Sequence, residues 1–543
     1  MSRSSLWTHG LMLLMAAALM QSAGAAVRRP RAPSPVVTPS GALQGFERGG
    51  VVAYLGVPYA RPPVGNLRWR PPEALPRWSG VRLATRFGNI CMQRRGRRAA
   101  GHSPSAAGEH PAPAGPSMSE DCLYLNLWVP THHGPGELPV MVWVHGGAFL
   151  LGSSSQPLYD GANLARRGVI VVTLNYRLGR FGFFAHPALV EKSAQGLFGN
   201  YGLLDQLAAL RWVERNVAAF GGDPRNVTFF GQSAGGISVL DLLTSPLARG
   251  LFERAIIESG AMTGRATTLA QAEAAGEAAA RSWGLAHPDA AALRAVPAAE
   301  VLGRGPPLAV RAGPIIDGKI LPRDVMTAFD AGEIEGAAEP NGRHVPLIIG
   351  SNSYEAGFFP GMARGLSTRL SAQWPRVEAL FDGYGTHQTA DIEGELATDM
   401  RITAPTWRVA RDAARAGLPT YLYYFAYLRP SERGRQPGPQ HIDEVYAVFG
   451  HLGLVEKHLD KSTRRIVAEL QSRWVRFART GDPAAAGAPW PRVTPGSMKV
   501  LEFAQNGPVV RGDFASRRLA LARKLTRELA HEAREAHAAP HGP

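Results

Sequence analysis

A single serine stands between two glycines where an apolar strand pattern changes into a helical one. Residues 227–230 are typical of a buried strand, and residues 234–240 continue with helical spacing. The intervening Gly231-Gln232-Ser233-Ala234-Gly235 predicts a sharp strand-to-helix turn with Ser233 at its apex. Small neighbours suit the strained backbone of such a turn. The pattern predicts a nucleophilic serine, provided that the other parts of a catalytic site are present.

Strand-like apolar runs alternate with helical segments along the chain. The apolar runs are residues 140–144, 169–174, 227–230, 255–257 and 345–349, and residues 203–220 have a helical pattern. This alternation predicts an α/β fold in which a large, mostly parallel central sheet is flanked by helices on both faces. Active sites in such sheets lie at the C-terminal ends of the strands, which is where Ser233 is expected.

The composition favours a large globular protein, and the charge distribution does not favour nucleic-acid binding. The 543 residues are 45% hydrophobic and 19% charged, enough apolar material for one large core, and we expect a single domain over residues 36–535. The formal charge of +15 rests on arginines scattered along the chain rather than on one basic stripe. We therefore expect no nucleic-acid partner, and the oligomeric state is left open between monomer and homodimer.

The N-terminus has the features of an export signal. Within residues 1–25, Arg3 supplies positive charge, residues 11–20 are apolar, and Ala23-Gly24-Ala25 fits a cleavage site. A membrane anchor is the alternative, but the apolar stretch is too short to span a bilayer comfortably. We expect removal of a signal peptide, no stable membrane insertion, and a periplasmic or extracellular location.

The two cysteines enclose a segment of unusual composition. In an oxidising compartment Cys91 and Cys122 could close one disulfide, although two unrelated buried thiols are also compatible with the sequence. Two cysteines without a histidine cluster do not make a zinc site. Residues 93–119 are rich in Arg, Ala, Gly, Ser and Pro, which predicts a flexible surface insertion.

A serine hydroxyl needs a histidine base that is oriented by a carboxylate. Where this turn carries a catalytic serine, the acid and then the histidine follow it along the chain. Glu355 stands in the polar segment 350–357, directly after the apolar run 345–349, where an acid at a strand end could reach the site. An exposed loop glutamate is an equally good interpretation of these local features.

His441 is the candidate base. It lies in residues 438–445, where a loop containing Gly and Pro leads into an apolar helix start. Such a loop could present an imidazole over the sheet edge, whereas the alternative is an ordinary loop histidine. With 16 histidines in the chain, position alone does not select it.

A glycine loop after residues 140–144 is the candidate oxyanion hole. The sequence His145-Gly146-Gly147-Ala148-Phe149 lets main-chain N–H groups approach a substrate carbonyl closely. A glycine turn is the alternative. The order of strand, glycine loop, strand, helix and serine turn is difficult to obtain by chance.

Several longer motifs carry a family resemblance. They are Tyr54-Leu55-Gly56-Val57-Pro58-Tyr59-Ala60, Glu120-Asp121-Cys122-Leu123-Tyr124-Leu125-Asn126, Asn175-Tyr176-Arg177-Leu178-Gly179, Phe220-Gly221-Gly222-Asp223-Pro224 and Phe230-Gly231-Gln232-Ser233-Ala234-Gly235-Gly236. Together they resemble the type B carboxylesterases, the cholinesterase-like branch of the α/β hydrolases, in particular bacterial members of the para-nitrobenzyl esterase kind. The likeness extends from about residue 36 to the final helical segment.

The resemblance implies a set of site residues. It assigns Ser233 as nucleophile, Glu355 as acid, His441 as base, the N–H groups of Gly147, Ala148 and Ala234 as oxyanion donors, and a disulfide between Cys91 and Cys122. It also implies an α/β hydrolase fold, a small-molecule ester substrate, and no metal or organic cofactor.

Other residues are implied to be structural. The resemblance suggests two buried ion pairs, Arg68 with Glu120 and Arg177 with Asp205. Ser259 either supports the histidine indirectly or is an ordinary core serine, and the second interpretation is favoured. None of these residues is expected to take part in the chemistry.

The expected function is that of an exported serine carboxylesterase that works through an acyl-enzyme on Ser233. Cholinesterases carry a tryptophan between the two cysteines for cation–π attraction; this chain has none between Cys91 and Cys122, so a choline ester is not expected as substrate. A lipase, an amidase and a hydrolase of polyesters or polyacid esters remain as alternatives. From another class, a noncatalytic cholinesterase-like binding protein is also open.

Overall fold

The computed structural model describes most of the chain. It covers residues 33–94, 116–132, 134, 136–192, 196–262, 267–303, 312–334, 344–485, 487–512 and 514–538. The expected signal peptide, 1–25, and residues 95–115 of the expected insertion 93–119 lie outside these ranges.

An eleven-stranded central sheet organises the described part of the chain. In chain order its strands are β1 Phe46–Arg48, β2 Val51–Pro58, β3 Tyr124–Pro130, β4 Leu138–Val144, β5 Ile170–Leu174, β6 Gly222–Gln232, β7 Arg254–Glu258, β8 Leu347–Asn352, β9 Thr420–Phe425, β10 Val500–Ala504 and β11 Gly507–Arg511. Their spatial order is β11-β10-β9-β8-β7-β6-β4-β5-β3-β2-β1. Short strands outside this sheet are Val36–Thr38, Gly41–Gln44, Val81–Leu83, Ile90–Cys91, Met118–Ser119, Phe183–Phe184, Gly199–Asn200, Thr267–Thr268 and Ile315–Ile316.

Seven neighbouring strands of this sheet are mutually parallel, in the spatial order β5, β4, β6, β7, β8, β9, β10. The remaining pairings, at both ends of the sheet, are antiparallel. The expected α/β hydrolase architecture is confirmed. All five apolar runs in the sequence lie on central strands, from β4 to β8. Because these strands are parallel, their C-terminal ends meet at one edge of the sheet, and the segments that follow them can form a common site.

Helices connect and cover the strands. They are α1 Ala162–Ala165, α2 Gly179–Gly182, α3 Tyr201–Asn216, α4 Ala234–Thr244, α5 Leu269–Ser282, α6 Ala290–Ala295, α7 Ala298–Leu302, α8 Val325–Ala331, α9 Pro360–Ala363, α10 Leu366–Arg369, α11 Trp374–Asp382, α12 Thr389–Thr398, α13 Ala404–Arg415, α14 Asp443–Val448, α15 Lys461–Thr480 and α16 Ser516–Ala538. A π-helical turn, Asp399–Thr403, joins α12 to α13. Within the described ranges, none of these helices combines the length and apolar character that crossing a bilayer requires.

The sheet has an apolar layer on each face. Every residue of β4 is buried, with Val140 and Val142 in the core on one side and Met141 and Trp143 in the core on the other. This two-sided burial explains why the central strands appear in the sequence as continuous apolar runs rather than as alternating patterns.

The disulfide and the two ion pairs that the resemblance implies, Arg68 with Glu120 and Arg177 with Asp205, are all present. Cys91 and Cys122 form a disulfide. Arg177 binds the carboxylate of Asp205 through Nε at 2.8 Å and Nη2 at 2.7 Å, and both side chains are buried. Such a pair is strongly destabilising to break, because the partner left behind is an uncompensated buried charge.

Two buried carboxyl groups lie just behind the C-terminal edge of the sheet. Trp474 Nε1 donates to Glu258 Oε1 at 2.7 Å, and Asn352 Nδ2 donates to Glu444 Oε2. The second oxygen of each carboxyl is buried without a partner among the described residues. Burial raises the pKa of Glu258 to about 8, and burial together with Glu258 and Glu355 raises the pKa of Glu444 well above its ordinary value. Burial therefore favours the protonated form of both carboxyl groups.

Breaking the buried ion pair between Arg177 and Asp205 should cause a large and selective loss of stability. Replacing Arg177 with Met should lower the free energy of unfolding by about 3–5 kcal/mol, because Asp205 loses its counter-ion. The matched control is Arg61→Met, since Arg61 pairs with Glu73 at 2.7 Å on the surface; we expect a loss of about 0–1 kcal/mol. Chemical denaturation measures both. Equal losses in the two variants would contradict the assignment of Arg177 as a structural cross-link.

The protonated Glu258 predicts a defined dependence of stability on pH. Its pKa in the folded chain is about 8, whereas an unfolded glutamate releases its proton near 4.5. Between these values the folded state holds a proton that the unfolded state lacks, so this group's contribution to stability falls as pH rises. Glu258→Gln keeps the oxygen that accepts from Trp474 and removes this dependence, which amounts to at most about 1.4 kcal/mol per pH unit.

The measurement is denaturant unfolding at several pH values between these two pKa values. The stability of Glu258→Gln relative to the unsubstituted chain should rise steadily with pH. The exposed Glu214 provides the control, and Glu214→Gln should show a constant difference. A constant difference for Glu258→Gln as well would mean that Glu258 is ionised in the folded chain.

Candidate active site

Ser233 lies at the apex of the turn between β6 and α4, as its sequence pattern predicts. Its φ of 56° and ψ of −125° are unusual for a residue with a side chain, and such strain persists only where the surroundings enforce it. Ser233 N donates to Glu258 O at 2.9 Å, which fixes the turn against the end of β7. The serine is buried among small neighbours that the turn requires.

The glycines beside Ser233 are required by close packing. A Cβ on Gly235 would lie 2.0 Å from Val144 O, and a Cβ on Gly231 would lie 2.7 Å from the same oxygen. Both distances are far inside van der Waals contact. The serine turn therefore rests directly on the main chain at the end of β4, where the glycine loop begins.

Glu355 lies in a short 3₁₀ turn just after β8 and is fully buried. Its Oε2 is 2.6 Å from His441 Nδ1. Its Oε1 accepts hydrogen bonds from Ser259 Oγ at 2.6 Å and from Asn352 N at 2.7 Å. The carboxylate is thus held by three partners and oriented toward one nitrogen of the imidazole.

His441 is placed by its loop as well as by Glu355. Gln232 Nε2 donates a hydrogen bond to His441 O, and Asn352 Nδ2 donates to Gln440 O at 2.6 Å. The ring centroid of Phe359 is 4.9 Å from that of the imidazole. His441 Nε2, the nitrogen remote from Glu355, is buried and has no hydrogen-bond partner within the described ranges. That nitrogen remains available to accept a proton.

The glycine loop after β4 has positive φ angles at consecutive positions. Gly147 has a φ of 115° and Ala148 a φ of 55°, and a Cβ on Gly147 would lie 2.0 Å from Leu151 O. Among the hydrogen bonds of the described residues, the N–H groups of Gly147, Ala148 and Ala234 have no acceptor. Gly146 brings the loop to Ser233, because a Cβ on Gly146 would lie 3.1 Å from Ser233 Cβ.

His145 is the other histidine near Ser233, and its environment argues against a role as base. It is buried, its ring stacks on Tyr176 at 4.7 Å, and Tyr176 Oη donates to His145 O at 3.0 Å. Burial lowers the pKa of His145 to about 4, so it stays neutral near pH 7. Its contacts with Tyr176 stabilise the start of the glycine loop.

The disulfide lies outside the site but is linked to the glycine loop. Gln93, two residues after Cys91, donates through Nε2 to Gly152 O at 2.8 Å and accepts from Gly152 N at 3.0 Å. Through this pair of bonds the segment that carries the disulfide supports Gly152, three residues after the glycine loop.

Three positioning side chains were missed by sequence reasoning or interpreted differently. Ser259 Oγ donates to Glu355, which contacts His441, so this serine supports the imidazole indirectly and is not the ordinary core serine that the sequence favoured. Gln232 stands one residue before Ser233, and Asn352 stands three residues before Glu355. Nothing in the local sequence shows that their side-chain amides bind a distant loop. Their roles arise only from the tertiary contact.

Sequence comparison agrees with this geometry. The sequence model of the Carboxylesterase family matches residues 32–381 and 384–521. Fumonisin B1 esterase of Sphingopyxis macrogoltabida is 37% identical over 484 residues, which are 84% of each chain. Para-nitrobenzyl esterase of Bacillus subtilis (strain 168) is 36% identical over 84% of this chain and 92% of its own. The human cocaine esterase is 35% identical over 81% of this chain and 82% of its own.

Solved structures share the same fold over nearly the whole length. A PNB esterase superposes with a TM-score of 0.73 and 33% identity, covering 89% of this chain and 98% of its own. The carboxylesterase EST55 of Geobacillus stearothermophilus gives a TM-score of 0.73 and 34% identity over 90% of this chain and 99% of its own. Sequence and fold agree that the chain is a carboxylic ester hydrolase and belongs to the carboxylesterase family.

Proposed function

We propose that the chain is an exported serine carboxylesterase that hydrolyses carboxylic esters through an acyl-enzyme on Ser233. Glu355 and His441 complete the proposed catalytic group, and the N–H groups of Gly147, Ala148 and Ala234 bind the oxyanion. The observation that carries the proposal is the buried contact of 2.6 Å between Glu355 and His441 Nδ1, which leaves Nε2 without a partner among the described residues.

Acylation follows from these assignments. His441 Nε2 removes the proton from Ser233 Oγ as the oxygen attacks the ester carbonyl, and the imidazolium that forms is stabilised by Glu355. The contact with Glu355 supports this step, because a carboxylate at Nδ1 fixes the tautomer in which Nε2 is the acceptor. His441 then donates the proton to the departing alcohol oxygen.

The glycine loop and the serine turn stabilise the tetrahedral intermediate. Main-chain N–H groups that have no acceptor among the described residues bind the developing negative charge without reorganising. Water then attacks the acyl-enzyme with His441 again as base, which releases the acid and restores Ser233. Each proton removed from a nucleophile is returned to a leaving group.

Export is supported by the N-terminal pattern and by the disulfide. Disulfides persist in oxidising compartments, and the Cys91–Cys122 bond fits passage into the periplasm or beyond. Residues 1–25 supply the charge, the apolar stretch and the cleavage site of a secretory signal.

The catalytic assignment predicts severe and specific losses of activity. Ser233→Ala should lower kcat on a nitrophenyl ester by about 10⁴-fold or more, and Glu355→Gln by about 10⁴-fold, since the first lacks the nucleophile and the second disturbs the imidazole. Ser245 is the matched control. It is a buried serine just after α4 whose hydroxyl has no partner within the described ranges, so Ser245→Ala should keep kcat within about twofold.

Steady-state kinetics on purified variants, with circular dichroism to verify folding, tests these expectations. If Ser233→Ala matched the unsubstituted chain on every ester, the nucleophile would be misassigned. If neither protein cleaved any ester, the noncatalytic binding role would replace the proposal.

Substrate preference separates the alternatives that share this mechanism. As an esterase rather than a lipase, the chain should show higher kcat/KM on soluble short-chain nitrophenyl esters than on emulsified long-chain esters. Fumonisin B1 belongs in the panel because a relative with 37% identity is named for it. A preference for emulsified long-chain esters would instead identify a lipase, and cleavage restricted to amides would identify an amidase.

The export assignment predicts the length of the mature protein. Expression of the full chain in a Gram-negative host should yield activity in the periplasm or medium, and N-terminal sequencing should place the new terminus near residue 26. Deletion of residues 1–25 should retain the protein in the cytoplasm. Recovery of the intact N-terminus in the membrane fraction would instead show an anchor.

A further inference from the structure

Gln232 is the last residue of β6 and directly precedes Ser233, and its side chain is turned into the protein. The residue is 3% exposed. Its Nε2 donates to the main-chain carbonyl of His441 across 209 positions of sequence. This hydrogen bond joins the nucleophile's strand directly to the histidine loop, residues 438–445.

The same side chain contacts the glycine loop. A Cβ on Gly146 would lie 3.1 Å from Gln232 Oε1 and 2.8 Å from Gln232 O, so the amide packs directly against that loop. The side chain of Gln232 therefore contacts both the main chain of the histidine loop and the glycine loop. Gln232 is also the sequence neighbour of Ser233.

The other bonds of the histidine loop connect it elsewhere. Asn352 Nδ2 binds Gln440 O at 2.6 Å, which ties the loop to β8, and Gln440 N binds Asp443 Oδ2 at 2.6 Å within the loop itself. The contact with Glu355 fixes the imidazole to the acid. None of these bonds sets the distance between His441 and the strand that carries Ser233.

We infer that Gln232 is a positioning residue that holds the main chain of His441 in register with Ser233 through its amide donor. The inference rests on the proposed roles of Ser233 and His441. A proton transfer from serine to imidazole depends steeply on the separation of the two groups, and a displacement of about 1 Å can cost about 100-fold in rate. Gln232 therefore acts on kcat through His441 without contacting the substrate.

A carboxyl group at position 232 provides a switchable test of the donor. It can donate to His441 O only when it is protonated, and when ionised it repels that carbonyl. Burial beside other acids would raise its pKa, because Glu258 lies directly opposite Gln232 on β7. Glu258 in turn interacts electrostatically with Tyr159, Tyr423 and Glu444. The other ionisable groups of this neighbourhood are Glu355, which acts on Tyr423 and Glu444, Tyr446, which acts on Tyr159, and the histidines of the two loops that Gln232 contacts, His145 and His441.

The experiment compares Gln232→Met with Gln232→Glu. Gln232→Met keeps the length of the side chain but removes the donor, and it should lower kcat by about 10–100-fold with KM changed by less than about twofold. Its kcat relative to the unsubstituted chain should be independent of pH. At about pH 5, the kcat of Gln232→Glu should approach that of the unsubstituted chain. At about pH 9, it should fall at least to the kcat of Gln232→Met.

Gln471 on α15 is the matched control. Its Nε2 also donates from a buried glutamine to a main-chain carbonyl, Val448 O at 3.2 Å, but it does not contact the site. Gln471→Met and Gln471→Glu should both keep kcat within about twofold at every pH. Thermal unfolding of all four variants separates a loss of folded protein from a loss of positioning.

The outcomes separate this inference from the proposed function. A kcat for folded Gln232→Met within about twofold of the unsubstituted chain would overturn the positioning role. So would a loss in Gln232→Glu that does not vary with pH. If Ser233→Ala abolishes activity while Gln232→Met does not, the inference alone fails; if Ser233→Ala is active, the proposed function fails first.

Discussion

The contact between the serine turn and the end of β4 is the constraint on which the site depends. Two glycines of the turn pack against the carbonyl of Val144, at distances that leave no space for a side chain at either position. This contact places Ser233 at the apex of a strained turn. It also brings the N–H of Ala234 to the glycine loop that leaves β4 at the next residue. The proposed nucleophile and the proposed oxyanion donors are thus positioned by one main-chain contact, not by separate side chains.

A second constraint is that each carboxyl group buried near His441 must either be hydrogen-bonded or become neutral. Glu355 is buried, yet three hydrogen-bond partners surround its oxygens, so the cost of burying a charge is offset. Glu258 and Glu444 lie nearby with one partner-free oxygen each among the described residues, and burial raises the pKa of both. Burial thus favours the neutral form of Glu258 and Glu444, whereas Glu355 is the acid whose oxygens are held by three partners beside His441.

The sequence predicted the central strands and the serine turn because both leave local signals. Residues 140–144 are apolar on both faces, and Ser233 stands between two glycines after a strand. Glu355 and His441 were different, since local features left each open and only the family resemblance selected them. Their pairing spans 86 positions, and its cause lies in the sheet that brings β8 and the histidine loop to one edge. Strand β9, Thr420–Phe425, was missed although its aromatic run is typical of a strand. Gln232 gave no signal, because its amide acquires a role only when a distant carbonyl reaches it.

The central claim is that this fold activates one serine, and covalent labelling tests it most directly. Incubation with diethyl para-nitrophenyl phosphate, followed by peptide mapping with mass spectrometry, identifies the nucleophile by its adduct. The account predicts stoichiometric loss of esterase activity with a single diethylphosphoryl group on Ser233. Complete inactivation with the adduct on any other residue, or ester hydrolysis that persists after Ser233 is fully modified, would contradict it.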